Sequence, residues 1–153
     1  RAGMARNLIC RPALALASIL LLGGCASETV YDQLNSAVLA YESGADARAE
    51  ALYQGLARTA PNDPETWLRL GNLYARSNRP DEAADAYQRG LLLAPADARL
   101  WYNLGIIRQR QAHASFIQAH QFMDDADPLR AQAGTLVERL GAAAADAAPP
   151  AGK

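Results

Sequence analysis

The feature that most constrains the fold of this chain is an internal repeat of 34 residues. A Trp-x2-Leu-Gly segment that begins at Trp67 recurs at Trp101, and an Ala-x3-Tyr-Gln segment that begins at Ala49 recurs at Ala83. Self-similarity at a fixed period of this length predicts a stack of equivalent supersecondary units. The recurring residues are Trp67, Leu70 and Gly71 with Trp101, Leu104 and Gly105, and Ala49, Tyr53, Gln54, Ala60, Pro61 and Asp63 with Ala83, Tyr87, Gln88, Ala94, Pro95 and Asp97.

Residues 64–76 have the periodicity of an amphipathic helix. Counting from Trp67, the apolar or small residues at i+3, i+4 and i+7 share one helical face, and Tyr74 is the last of them. Asp63 is suited to cap the start of this helix, and Pro64 is suited to its first turn. The sequence therefore predicts a helix whose core-facing stripe begins at Trp67.

A second helix is predicted after a turn at residues 77–80. Pro80 is acceptable at the start of a helix, where its missing N–H costs no hydrogen bond. Gly71 and Ala83 are both small, which predicts that the two helices cross closely at these positions. Pro95 is expected to end the unit, because proline cannot continue a helix.

This pattern resembles the tetratricopeptide repeat (TPR) family, whose helix-turn-helix unit has the same period. The resemblance implies an all-α solenoid of about three repeats, 30–63, 64–97 and 98–128, with a capping helix at 128–140. The second helix of the third repeat is expected around 112–123, where the TPR pattern is poorly kept. The residues that carry the pattern are Trp67, Leu70, Gly71, Tyr74, Ala83, Tyr87, Gly90, Pro95, Trp101, Leu104 and Gly105.

The first 24 residues differ in character from the rest of the chain. They hold three arginines and no acid, and residues 12–22 form an apolar run that contains a single serine. A basic segment, a short apolar segment and small residues at its end are typical of a secretory signal peptide. The uncharged run 12–27 is shorter than the ~20 residues that a helix needs to cross a bilayer. We therefore expect residues 1–24 to be a signal peptide, with a retained anchor helix as the alternative.

The Leu-Gly-Gly-Cys sequence at residues 22–25 resembles a bacterial lipobox. The resemblance implies that Cys25 carries lipid and that residues 25–29 form a short linker. The alternative is an ordinary cleavage site followed by a chance cysteine. Ala26, rather than an aspartate, follows the cysteine, which in such lipoproteins implies the periplasmic side of the outer membrane. Removal of the leader would take away three arginines and change the net charge from −1 to −4.

Composition and motifs exclude several classes of function. The net charge of −1 argues against nucleic-acid binding, which needs a basic excess, and two cysteines are too few for a disulfide framework. The sequence contains no His-Glu-x-x-His, Gly-x-Ser-x-Gly, Walker, Gly-x-Gly-x-x-Gly or Cys-x-x-Cys motif. We therefore predict that the chain is not an enzyme and uses no cofactor, metal or small-molecule substrate.

Two groups of residues could nevertheless suggest a metal site. His113 and His120 are seven residues apart, about 10.5 Å along a helix, which is too far for both to bind one ion. Asp124, Asp125 and Asp127 lack the glycine and the later glutamate of a calcium-binding loop. We interpret the histidines as packing or surface residues and the aspartates as a solvated turn.

The remaining candidate site is the inner surface of the solenoid. The TPR resemblance implies a concave groove lined by the first helix of each unit. Asn72 and Asn103 match two positions of a clamp that holds a peptide carboxylate in some TPR domains, and Arg99 is nearby, but Leu68 stands where the clamp has lysine. A true clamp, a more general groove for a peptide or helix, and merely solvated faces all stay open. The predicted partner-binding residues are Leu68, Arg69, Asn72, Arg76, Arg99, Tyr102, Asn103, Ile106 and Arg110, beside Leu34, Val38 and Tyr41 from the first unit.

The C-terminal segment 141–153 is rich in Ala and Pro and lacks bulky apolar side chains. Gly141 is expected to stop the capping helix, and a disordered tail is expected to follow it. The alternative is a helical extension through residues 142–148.

These features together predict a non-enzymatic scaffold or adaptor. A small TPR domain on a lipid anchor would raise the local concentration of a partner at the membrane. We expect its partners to be proteins of an envelope machine, such as a pilus, a secretion system or a cell-wall complex. A self-assembling structural envelope protein and an enzyme with an unrecognised site are the alternatives.

Overall fold

Six α-helices make up the part of the chain that the computed structural model describes, residues 29–146. The predicted signal peptide (1–24), the predicted lipidation site Cys25 and the tail residues 147–153 lie outside the described residues. Between residues 29 and 146 there is no strand, and no helix there is both long and apolar enough to cross a bilayer. The helices are α1 (Val30–Glu42), α2 (Asp46–Thr59), α3 (Pro64–Arg76), α4 (Pro80–Leu93), α5 (Ala98–Phe122) and α6 (Pro128–Asp146).

The first four helices pair as two hairpins, α1 with α2 and α3 with α4. Each hairpin turn contains one residue in the left-handed backbone conformation, Gly44 at φ 75° and Asn78 at φ 57°. These residues are 34 positions apart, and Gly and Asn are the types that adopt this conformation most readily at a helix end. The prediction of an all-α helical repeat solenoid is confirmed.

The loops between hairpins repeat with the same period. The indole Nε1 of Trp67 donates a hydrogen bond to the Pro61 carbonyl at 2.8 Å, and the indole Nε1 of Trp101 donates to the Pro95 carbonyl at the same distance. Each tryptophan therefore fixes the loop that precedes its own helix. This local contact explains why Trp and Pro recur together in the sequence.

The helices cross most closely where the repeat has glycine. A Cβ placed on Gly71 of α3 would lie 2.3 Å from Cε1 of the buried Tyr87 on α4, so only glycine lets the two helices approach. Gly90 plays the same part between α4 and α5, where a Cβ would lie 2.8 Å from Leu100. The predicted close crossing of α3 and α4 is thus present.

The third repeat differs from the prediction of a hairpin over residues 98–128. A single helix, α5, runs from Ala98 to Phe122 through the region where a turn and a new helix near residue 112 were expected. The physical reason lies at Ala112, which is one period after Asn78 and two after Gly44. Alanine is the best helix former and disfavours the left-handed conformation, so the chain continues as helix.

The capping helix is also longer than predicted. Helix α6 continues from Pro128 to Asp146, past the expected stop at Gly141. A Cβ on Gly141 would lie 3.3 Å from Nε2 of His113, so this glycine allows α6 to pack closely on α5. Residues 141–146 therefore follow the helical alternative instead of the predicted tail.

Two residues that carry the TPR pattern lack the packing that the pattern implies. In α5, Trp101 is 53% exposed, and no residue of the described part of the chain lies within 4 Å of a Cβ placed on Gly105, whereas the equivalent residues in α3 are covered by α4. Helix α6 packs farther along α5, at His113 and His120, and therefore leaves this part of α5 uncovered by described residues.

Candidate functional site

The predicted groove lies along the face shared by α1, α3 and α5, but part of it is closed. Leu68 is fully buried, Asn72 is 1% exposed and Asn103 is 2% exposed, so these three side chains offer no surface to a partner. They are therefore not part of an accessible surface in this structure, and their contact with a ligand stays a prediction. Tyr41 of α1 packs in from the neighbouring unit, and a single-helix pattern does not reveal such a neighbour.

The two asparagines instead belong to a buried hydrogen-bond network. Asn72 Nδ2 donates to Tyr41 Oη at 3.0 Å, while Asn72 Oδ1 accepts from Tyr87 Oη at 2.8 Å and from Asn103 Nδ2 at 2.9 Å. Among the described residues, every buried side-chain nitrogen and oxygen has a hydrogen-bond partner. A fully satisfied buried network fixes the relative position of the helices that contribute to it. Asn72 therefore ties α1, α3, α4 and α5 together.

Burial also keeps Tyr87 of this network and the buried Tyr53 of α2 protonated. Burial raises the pKa of Tyr87 well above its usual range, and it raises the pKa of Tyr53, which packs edge-on against Tyr41, to about 12. Both hydroxyls are therefore neutral at physiological pH. Neither is poised to act as a base, which fits a structural role.

Arginines cover the Tyr41 side of the groove. The guanidinium groups of Arg69 and Arg76 lie over the Tyr41 ring, with 4.6 and 4.4 Å from Cζ to the ring centroid. Arg69 also pairs with Glu65 at 2.8 Å, and Arg76 pairs with Asp46 of α2 at 2.9 Å. Cation–π contacts and ion pairs together hold both side chains in place.

Arg99 at the start of α5 is held by two acids. It pairs with Asp97 at 2.8 Å and with Glu65 of α3 at 3.1 Å. Its hydrogen bond holds the pKa of the Asp97 carboxyl below the usual range, and the same bond raises the pKa of Arg99. The charge of Arg99 is thus largely neutralised by its neighbours, although its side chain stays about half exposed.

Arg110 differs from its equivalent one period earlier, Arg76. Arg76 has a carboxylate partner in Asp46, whereas Arg110 makes no ion pair with any described residue. The position that corresponds to Asp46 is Pro80, and the adjacent Asp81 accepts a 2.6 Å hydrogen bond from Gln111 instead. The guanidinium of Arg110 is therefore the groove cation that is most available to a ligand within residues 29–146.

A cleft of about 530 Å³ lies beside Arg110, where the α3–α4 turn faces α5. Helix α5 continues past this turn, so one helix supplies five of the residues that line the cleft. Ala75 and Ile107 are buried apolar residues of the lining, and Asn78, Asp81 and Arg110 are exposed polar ones. The residues that line it are Ala75, Asn78, Pro80, Asp81, Ile107, Arg110, Gln111, Ala114 and Ser115.

Four residues of the predicted groove are exposed, namely Arg76, Arg99, Tyr102 and Arg110. Ile106 is half-buried, as are Arg69, Leu34 and Val38. The four exposed residues and Ile106, which lies one helical turn after Tyr102, form the accessible surface on α3 and α5. This surface combines an aromatic ring, an aliphatic side chain and guanidinium groups, which are the groups enriched in protein interfaces. Partner binding by these residues stays a prediction.

The residues considered for metal binding have other roles. His113 and His120 pack against Gly141 and Gly134 of α6, and Asp127 Oδ1 accepts a hydrogen bond from the Leu129 amide at the start of α6. Within residues 29–146, no three His, Cys, Asp or Glu side chains come together in a geometry that could hold a metal ion.

Comparison with known proteins identifies a repeat of the predicted type. The family described as Tetratricopeptide repeat matches residues 64–107, which span α3, α4 and the first part of α5. The chain is similar to the Peroxisomal targeting signal receptor of Candida glabrata, with 39% identity over 74 residues, 48% of this chain and 12% of the receptor. It is similar to the receptor of the same name from Saccharomyces cerevisiae, with 44% identity over 54 residues, 35% of this chain and 9% of the receptor.

The chain is also similar to the human Protein O-mannosyl-transferase TMTC3, with 33% identity over 78 residues, 51% of this chain and 8% of the transferase. It therefore matches only about a tenth of the length of these relatives. The similarity covers a repeat segment and does not extend over any of these proteins as a whole.

Proposed function

We propose that this chain is a non-enzymatic adaptor that binds a segment of a partner protein on the surface formed by Arg76, Arg99, Tyr102, Ile106 and Arg110. The observation that carries the proposal is that four of these side chains are exposed and that one of them, Arg110, lines an open cleft of about 530 Å³. The buried Asn72 network fixes the helices that carry them. The TPR match and the similarity to proteins named as targeting signal receptors support a role in protein–protein interaction.

The chemistry of the surface defines the segment that it would take. Arg110 lacks an internal carboxylate partner among the described residues, so an acidic group of the partner would bind there. Tyr102 and Ile106 would contact an apolar side chain nearby. Because Asn72 and Asn103 are buried, a peptide clamp that uses these asparagines is not part of the proposal.

The cellular setting of this adaptor is proposed from the leader sequence. The lipobox resemblance at residues 22–25 supports a lipid anchor at Cys25, on the periplasmic side of the outer membrane. There the chain would assist the assembly of an envelope machine such as a pilus, a secretion system or a cell-wall complex. In a Cys25→Ala variant we expect the protein to move from the membrane fraction to the soluble fraction. Unchanged sedimentation with membranes would contradict lipid anchoring.

The groove is tested by site-specific photocrosslinking in cells. A photoreactive residue at Tyr102 or at Arg110 should crosslink to the same partner protein, identified by mass spectrometry. Arg48 and Arg58, which are exposed on α2 outside this surface, serve as matched control positions and should give no such product. Equal crosslinking of one partner from Arg48 and from Tyr102 would refute the groove as the binding site.

A charge-reversal variant provides the second arm of the test. Arg110→Glu should remove the crosslink from Tyr102, whereas Arg48→Glu should leave it unchanged. Circular dichroism spectra should be identical for both variants, because both side chains are exposed on helices. The named activity of the transferase is not part of the proposal, since the match covers 8% of that protein.

A further inference from the structure

One face of α5 is covered by no described residue, whereas the equivalent face of α3 is covered by α4. We call the surface formed by Trp101, Gly105 and Arg108 the open face of α5. On α3 the equivalent Gly71 receives the ring of Tyr87 from α4, with three ring atoms between 2.3 and 2.8 Å from a Cβ placed there. On α5 no atom of residues 29–146 lies within 4 Å of a Cβ at Gly105.

The tryptophans show the same contrast. Trp67 and Trp101 make the same indole hydrogen bond to a proline carbonyl, so their rings are anchored in the same way. Trp67 is covered by α4, and the guanidinium of Arg89 lies 5.0 Å from its ring centroid. Trp101 has no such cover among the described residues and is 53% exposed.

The register of α6 explains why the open face exists. His113 and His120 contact Gly141 and Gly134, and Gln109 Nε2 donates to the Leu140 carbonyl at 3.2 Å. The contacts of α6 thus begin near Gln109, and the first three turns of α5 extend beyond them toward the preceding loop. Leu100, on the other side of α5, is packed against Gly90 of α4, so the open face sits on a fixed helix.

We propose that the open face of α5 binds an amphipathic helix of another protein, which packs on it as α4 packs on α3. The required chemistry follows from the part of α4 that meets α3: a small residue and an aromatic residue four positions later, as in Ala83 and Tyr87. The aromatic ring would occupy the notch at Gly105, which is the space that a side chain at this position would fill. This surface is separate from the groove and does not depend on the function proposed for the groove.

Charge complementarity specifies the partner helix further. The position of Tyr74 on α3 corresponds to Arg108 on α5, which is exposed. In the existing hairpin, Glu82 and Asp85 of α4 line a cleft together with Tyr74. Acidic residues at those positions of a partner helix would therefore face Arg108 and form an ion pair across the interface.

Helix α4 itself supplies the probe. A peptide with the sequence of residues 80–93 is too short to be a stable helix in water, so a covalent staple should join the exposed positions 88 and 92. Fluorescence anisotropy measures its binding to the full chain in mild detergent. We expect saturable binding that falls about tenfold or more when the peptide carries Tyr87→Ala, since an aromatic anchor in a pocket carries much of the binding energy.

Variants of the full chain locate the binding. Gly105→Met fills the notch and should weaken binding about tenfold or more. Gly55→Met, on α2, is the matched control and should bind the peptide like the original chain. Arg108→Glu should also weaken binding. Because Arg108 is exposed, this variant tests the same surface if Gly105→Met proves to be less stable than the original chain. Binding that is unaffected by both α5 substitutions would overturn the proposal.

Other occupants give different results, each of which would also overturn the proposal. If the full chain sediments as a dimer that Gly105→Met dissociates, a second copy covers the face. If the peptide binds only after removal of residues 147–153, that segment covers it. Absence of saturable binding up to about 1 mM peptide, an affinity of about −4 kcal/mol, would show that the face does not accept a helix of this type.

Discussion

Adding one methyl group at two equivalent glycines should change stability in opposite directions. In a Gly71→Ala variant, the new Cβ would lie 2.3, 2.5 and 2.8 Å from Cε1, Cδ1 and Cζ of Tyr87. Carbon atoms in contact prefer about 3.5–4.0 Å, so the ring would have to withdraw by about 1 Å. It cannot do so freely, because it is fully buried and its hydroxyl donates to Asn72.

The magnitude follows from three terms. Overpacking a well-packed core costs about 1–3 kcal/mol, and weakening the buried Tyr87–Asn72 hydrogen bond costs about 1 kcal/mol more. Replacing glycine by alanine within a helix returns about 0.5–1 kcal/mol. We therefore expect Gly71→Ala to lower the free energy of unfolding by about 2 kcal/mol. Gly105→Ala has only the helix term, since no described residue lies within 4 Å of the new Cβ, and should raise the free energy of unfolding by about 0.5–1 kcal/mol.

Urea unfolding followed by circular dichroism at 222 nm compares the two variants with the unchanged chain. The midpoint should fall for Gly71→Ala and rise slightly for Gly105→Ala, with similar slopes. If Gly71→Ala were as stable as Gly105→Ala, then α3 and α4 would not be in the contact described. If Gly105→Ala were destabilised as much as Gly71→Ala, then a helix would cover α5 after all.

Three further substitutions test the network, the α5–α6 contact and the buried tyrosines. Asn72→Ala leaves buried polar partners unsatisfied and should destabilise the fold by about 2–4 kcal/mol in the same urea assay; an unchanged midpoint would contradict the network. Gly141→Val should clash with His113 and speed amide hydrogen exchange in α6, whereas Gly55→Val should not. Because burial raises the pKa of Tyr53 from 10 to about 12, its contribution to stability is present below pH 10 and lost between pH 10 and 12. Between pH 10 and 12, the free energy of unfolding should therefore fall less with pH in a Tyr53→Phe variant than in the unchanged chain. Equal pH dependence of the two proteins would refute the raised pKa of Tyr53.

The sequence predicts the second repeat well because its signals are local. The helix starts, the glycine at the crossing and the aromatic residue that fills it all lie within residues 64–97, and each has a position-specific reason. The predicted hairpin of the third repeat is wrong because the recurring residues do not include the one that closes the turn. Gly44 and Asn78 close their turns at φ 75° and 57°, and Ala112 at the next equivalent position cannot do so easily. That single residue would have predicted the long α5.

The groove could not be predicted to the same degree, because helical periodicity assigns a residue to a face but not to a neighbour. Asn72 and Asn103 lie on the expected face, yet both are buried. Tyr41, 31 residues before Asn72, accepts a hydrogen bond from Asn72 across the boundary between two units. The depth of a groove depends on such side chains from adjacent units, which the pattern of one helix does not contain.

The two proposed surfaces are close in sequence and distinct in space for a simple geometric reason. Arg108 and Arg110 are two residues apart, and successive residues of an α-helix are separated by about 100°, so the two side chains point about 160° apart. Leu100, Leu104 and Ile107 are buried against α4 and fix the rotation of α5 about its axis. One helix therefore presents Arg110 to the groove and Arg108 to the open face at the same time. A regular repeat would have covered the second surface with its own helix, and the uninterrupted α5 exposes it.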